Sequence, residues 1–150
     1  MSDLISVSLD FSSYHAVTKL SELYNEGIIW RVTDSHVLDA YRTMNGVWQH
    51  IFCPDCAVFL GRKMFVIEGD IDVKSFNEFV EKHGKPVVIE YKGCLYIHAA
   101  SVKKAMEIQS VLSFSAQVTI INKCEDVKLL SEKEIDFLLN WDAEKYRKTL

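Results

Sequence analysis

Val88-Ile-Glu-Tyr-Lys-Gly-Cys-Leu-Tyr-Ile97 sets two short β-rich runs on either side of Lys92-Gly93, the layout of a hairpin with a two-residue turn. About thirty residues earlier, Val58-Phe-Leu-Gly-Arg-Lys-Met-Phe-Val-Ile67 has the same form, two apolar runs around a Gly-Arg-Lys turn. A capping residue and a helical pattern follow each: Asp72 before Val73, Phe76, Phe79 and Val80, and Ser101 before Val102-Lys-Lys-Ala105. The expectation is a strand-turn-strand-helix unit made twice. The fold class is α/β of the α+β kind: a mostly antiparallel sheet built from two hairpin-helix units and covered by helices.

Working outward, the helix from Ser101 should run to about Ile121, with Val102, Ala105, Met106, Leu112, Ala116 and Ile120 on one side. Ser131-Glu-Lys-Glu134 is a capping box, so a further helix starts at Glu132 and completes a C-terminal helix pair. Toward the N-terminus, Ser12 or Ser13 can cap a helix with Tyr14, Val17, Leu20 and Leu23 at helical spacing. Ile28-Ile-Trp-Arg-Val32 reads as a strand, and Asp34 or Ser35 caps a second helix that Gly46 ends. Residues 1–46 are thus a helix-strand-helix extension, and residues 47–54 a connecting loop. The chain of 150 residues, 49% hydrophobic and 25% charged, reads as one domain over 1–150 with a single core.

Seventeen lysines and arginines against 21 acids leave a net charge of -4, and no segment gathers the bases as a phosphate-tracking groove requires. Nucleic acid is not an expected partner. No stretch approaches the ~20 apolar residues that span a bilayer, and Met1-Ser-Asp-Leu-Ile5 lacks the basic and apolar regions of a signal peptide. The expectation is a cytoplasmic protein with no membrane partner. In such a compartment the four cysteines read as buried thiols. Cys53-Pro-Asp-Cys56 could be a redox pair, but that chemistry needs a helix N-terminus, and Ala57-Val-Phe-Leu60 reads as a strand. The pair could also join His50 and His98 as zinc ligands, although no second Cys-x-x-Cys supports the set.

Pro54-Asp-Cys-Ala-Val-Phe-Leu-Gly-Arg-Lys63 resembles the Thr-Pro-Asp-x-x-Val-aromatic strand start found late in sugar-phosphate aldolases of the class II aldolase/adducin family. Asn140-Trp-Asp-Ala-Glu-Lys-Tyr-Arg147 is similar to their terminal Asn-Trp-Glu-x-Glu-x-Tyr-Arg helix, notably in the aldolase part of bifunctional rhamnulose-phosphate aldolase/alcohol dehydrogenases. Val87 to Ala105 resembles their strand, Gly, strand and helix. The likeness covers residues 47–150. It implies metal-dependent lyase chemistry on sugar phosphates and homo-oligomers with sites near subunit contacts.

The departures weigh against that chemistry. The family's catalytic members bind a divalent metal through a His-x-His pair and a third His just before a Gly; no His-x-His occurs here, and Lys92 stands before Gly93. An ammonium cannot ligate at neutral pH. His15, His36, His50, His83 and His98 are scattered and read as ordinary surface or hydrogen-bonded histidines. Arg62, Lys63 and Lys92 fall at matching turn positions, so their charges could converge on a sugar phosphate, or simply be solvated.

The expected function is therefore a non-catalytic aldolase-like module or fragment with no cofactor, binding a small anion or a protein. Its partners would be further copies of itself or a missing N-terminal aldolase half. The alternative is an enzyme: a metal-dependent aldolase with a rebuilt or partner-supplied zinc site, or a thiol enzyme using Cys53 and Cys56.

Overall fold

Tyr91-Lys-Gly-Cys94 does form a hairpin, because Lys92 (φ 50°) and Gly93 (φ 75°) both take the left-handed conformation that a two-residue turn demands. A lysine there costs on the order of 1 kcal/mol. The hairpin joins β3 (Val88–Tyr91) to β4 (Cys94–Ala99), with Val88 opposite Ile97 and Tyr91 opposite Cys94. The computed structural model describes residues 14–44, 54–61, 63–122, 131 and 133–137.

Helix α1 spans residues 14–21, followed by β1 (Ile28–Arg31) and α2 (Ser35–Thr43), which Asp34 caps by accepting from the Val37 amide at 3.0 Å. Then come α3 (Pro54–Leu60), β2 (Phe65–Ile67), α4 (Val73–His83), the β3–β4 hairpin and α5 (Val102–Asn122). A last helical stretch covers residues 133–137. Its capping box forms as the sequence reads: the Ser131 amide donates to Glu134 Oε1 and the Glu134 amide to Ser131 Oγ, both at 3.2 Å.

The fold is mixed α/β with a four-stranded sheet in the order β1-β4-β3-β2. β1 and β4 are antiparallel, as are β4 and β3, whereas β2 runs parallel to β3 with Phe65 opposite Ile89. That last pairing corrects the expectation of a first hairpin. Residues 58–60 are not a strand but the end of α3, where Cys56 and Leu60, one turn apart, bury against α5 and Gly61 (φ 78°) ends the helix. A short apolar run satisfies a buried helix as well as a strand. β2 therefore takes β3 as its partner, with α4 as the crossover.

Alternation along the strands divides the core. Val88, Leu95, Ile97 and Ala99 face α2, α3 and α5 with Val37, Ala40, Leu60, Ala105, Ile108 and Leu112. Ile29, Phe65, Ile89, Tyr91 and Tyr96 face α1 and α4 with Ala16, Leu20 and Phe76. Val102 and Met106, expected on the inner side of α5, are about half exposed, at 51% and 53%; the buried stripe is Ala105, Ile108, Leu112 and Ala116. No helix among the described residues is long and apolar enough to cross a membrane.

Candidate functional site

Lys92 lies at the tip of the β3–β4 turn, exposed, with its ammonium 5.3 Å from the centre of the Tyr91 ring. Lys63 lies elsewhere. The register Phe65–Ile89 sets Lys63 level with Val87, which at ~3.3 Å per residue is about 16 Å along β3 from Lys92. The two lysines are at opposite ends of the parallel pair, and Arg62 is outside the described residues. The matching of the turns failed because only one of them is a hairpin turn.

The cation that the sheet does bring to Lys92's end is Arg31, at the end of β1. Its guanidinium donates to Cys94 Sγ at 3.9 Å, and Cys94 is paired with Tyr91. Beside them Tyr96 is buried, which pushes its hydroxyl pKa up to about 12. Sequence reading passed over Arg31 because nothing local links β1 to β4; the link is the antiparallel register Arg31–Tyr96.

The thiol and imidazole candidates are divided by the sheet. Cys56 is fully buried on the α5 side. His98 alternates with Ile97 and Ala99, so its ring turns to the opposite face, where it stacks on Tyr24 with ring centres 3.7 Å apart. His98 Nε2 donates to the Glu26 carbonyl at 2.7 Å, and the Tyr24 hydroxyl donates to the Pro86 carbonyl at 2.7 Å. Burial, and secondarily the charge of Lys85, hold the His98 pKa below the ordinary range, against the opposing effect of the Glu26 carbonyl and carboxylate. One chain therefore cannot bring Cys56 and His98 to one ion; His50 and Cys53, the other two members of that set, lie outside the described residues. Among the described residues no three His, Cys, Asp or Glu side chains come close enough to hold a metal.

Helix α3 also bears on the chemistry open to Cys53-Pro-Asp-Cys56. The residues after it are helical, not extended, so the strand objection to thiol chemistry falls. The burial of Cys56 makes it a poor attacking thiol, and Cys53, the residue that would attack in such a pair, lies outside the described residues.

A pocket of about 360 Å³ opens beside β2, floored by Leu23, Phe65, Ile67 and Ile71 and rimmed by Glu68, Asp70 and Asp72. Asp72 caps α4, accepting from the Ser75 hydroxyl at 2.8 Å and the Lys74 amide at 3.1 Å, and these bonds hold its pKa below the usual carboxylate value. Three carboxylates repel a phosphate ester, so this pocket suits a cationic or apolar group.

No family model matches the chain, and no curated protein matches it by sequence. Solved structures that share its fold include two proteins. One is YgbL from Escherichia coli, a candidate aldolase/epimerase/decarboxylase, at 12% identity and a TM-score of 0.53, with 78% of this chain and 61% of that one covered. The other is YgbL from Klebsiella pneumoniae, described in the same words, at 12% identity and a TM-score of 0.56, with 85% and 63% covered. The chain shares the fold of those proteins and spans about three-fifths of their length.

Proposed function

We propose that this chain is a non-catalytic aldolase-like module of the class II type, acting by binding rather than by carbon–carbon bond cleavage. The observation that carries the reading is Lys92 at the β3–β4 turn, where the resembling enzymes have a metal-binding imidazole before Gly. Its ammonium repels the cation that such a site must hold. The separation of Cys56 from His98 by the sheet supports the same reading.

The test is metal analysis of the full chain purified without chelators, together with retro-aldol assays on a panel of sugar phosphates supplied with zinc, manganese or magnesium. The expected outcome is substoichiometric metal and no cleavage above the uncatalysed rate. A bound ion near one per chain with turnover would overturn the proposal and favour the enzyme reading, with a rebuilt or partner-supplied site.

A second reading for ligand class rests on Arg31 and Lys92 at one end of the sheet, where an arginine fork and a lysine point charge could share a phosphate ester. Isothermal titration with simple sugar phosphates checks it. Binding that is lost in both Arg31→Ala and Lys92→Ala is expected, and absence of heat from the wild type at millimolar ligand removes it.

A further inference from the structure

β2 ends the sheet. Its hydrogen-bonded neighbour is β3, and among the described residues nothing pairs with its outer edge. An open edge is a template for another strand. The residues around it have a directional charge pattern: Lys63, preceded in sequence by Arg62, leads into the strand, and Glu68 and Asp70 follow it. Lys63, Glu68 and Asp70 are all exposed, and among the described residues none of the three has an ion-pair partner. Between the two charged ends Val66, β-branched and apolar, is 39% exposed.

We propose that two copies of this chain associate by antiparallel pairing of their β2 edges about a two-fold axis at Val66, forming one continuous sheet. The charge pattern selects both the partner and the direction. Laid antiparallel, the basic end of each strand meets the acidic end of the other, and the match occurs twice. Laid parallel, lysine would stack on lysine and glutamate on glutamate, which is destabilising.

The two-fold axis also restricts the register. It maps each side chain to the same face, so only residues of equal pleat parity can stand opposite one another. With Val66 opposite Val66 of the second copy, Phe65 stands opposite Ile67, and past these three residues Lys63 of one copy lies toward the bend at Gly69 of the other, which Glu68 and Asp70 flank in sequence. Both exposed valines are then covered. An edge lysine normally discourages pairing with a foreign strand; here it is matched by the acids of an identical chain, which makes the contact selective. The same pairing places the second copy along the acid-rimmed pocket, whose apolar floor includes Phe65 and Ile67 of β2 itself.

The test uses the full chain in sedimentation velocity from micromolar to several hundred micromolar. The wild type is expected to be a reversible dimer that salt weakens. Two self-repelling variants are then compared, an all-basic one (Glu68→Lys with Asp70→Lys) and an all-acidic one (Arg62→Glu with Lys63→Glu). Each alone should dissociate, with the dissociation constant raised on the order of tenfold or more. An equimolar mixture of the two should form a heterodimer, because every facing end is again opposite in sign. Concentration-dependent protection of the Val66 amide, or of its two strand neighbours, from hydrogen exchange should accompany the dimer.

A wild type that stays monomeric throughout overturns the proposal, even if it binds a lysine-rich peptide instead. A dimer that survives both reversals, or a mixture that does not reassociate, overturns it as well. Should either reversal unfold the chain by circular dichroism, Glu68→Gln with Asp70→Asn decides. Unchanged dimer affinity and salt dependence in that variant count against the interface, and weakened affinity with a flatter salt dependence supports it.

Discussion

Gly27 is held at φ 81°, and a Cβ added there would stand 2.6 Å from the Ala99 carbonyl oxygen and 2.7 Å from His98 Nε2. Backbone conformation and space both require glycine. Gly27→Ala is expected to cost about 2 kcal/mol or more in urea denaturation, as left-handed strain and a backbone clash combine. Gly93, at φ 75° with nothing within 4 Å of its added Cβ, should cost only about 1 kcal/mol on the same change. Equal effects would show that the tight packing at Gly27 contributes little. His98 gives the matching pH prediction. Its folded pKa is lowered from the ordinary 6.5, so the folded state takes up a proton less readily than the unfolded chain. Its contribution is complete above that value and is lost as pH falls below it. The groups facing the ring are Tyr24, the Glu26 carbonyl and carboxylate, and Lys85. The urea midpoint should fall between roughly pH 7 and pH 5.5, and His98→Gln should flatten that slope. An identical slope in the variant would assign the pH dependence elsewhere.

Among the elements, the ones whose signals are local were legible. Asp34, Asp72, Ser101 and the Ser131/Glu134 pair all make their capping bonds within a few residues, and such bonds depend little on the rest of the fold. Lys92-Gly93 was legible for the same reason. α3 was not, because Ala57-Val-Phe-Leu60 has no period of its own and its state was decided by the surface that α5 offers to Cys56 and Leu60. How α2 is fastened to the sheet was equally hidden. The Tyr41 hydroxyl donates to the half-buried Glu90 carboxylate on β3, and burial, with Glu90 second, pushes the Tyr41 pKa up to about 12. Tyr41→Phe leaves that carboxylate without this donor and should cost about 1 to 2 kcal/mol. A variant as stable as wild type would show that water replaces the hydroxyl without loss.

At the scale of the whole molecule, the sheet couples two apolar layers. Leu112 of α5 and Leu20 of α1 are both fully buried, on opposite faces. Each change to Ala should cost about 2 to 5 kcal/mol, and both variants should still unfold in one transition, since each layer packs on the same strands. Separate transitions in calorimetry or denaturant would mean that the layers fold independently.

From the amino acids alone came the mixed α/β class, the second hairpin, the helix caps, the long α5 and the placing of Lys92 at a turn before Gly93. These follow from neighbours a few residues apart, where hydrogen-bond geometry and side-chain period act without help. Tertiary structure decided that β2 lies parallel to β3, that Lys63 and Lys92 are at opposite ends, that Cys56 and His98 are on opposite faces, and that Arg31 stands near Cys94. Those relations are set by which apolar surfaces bury one another across long loops. Burial is non-directional, so its outcome is fixed by the assembled core and not by any one stretch of chain.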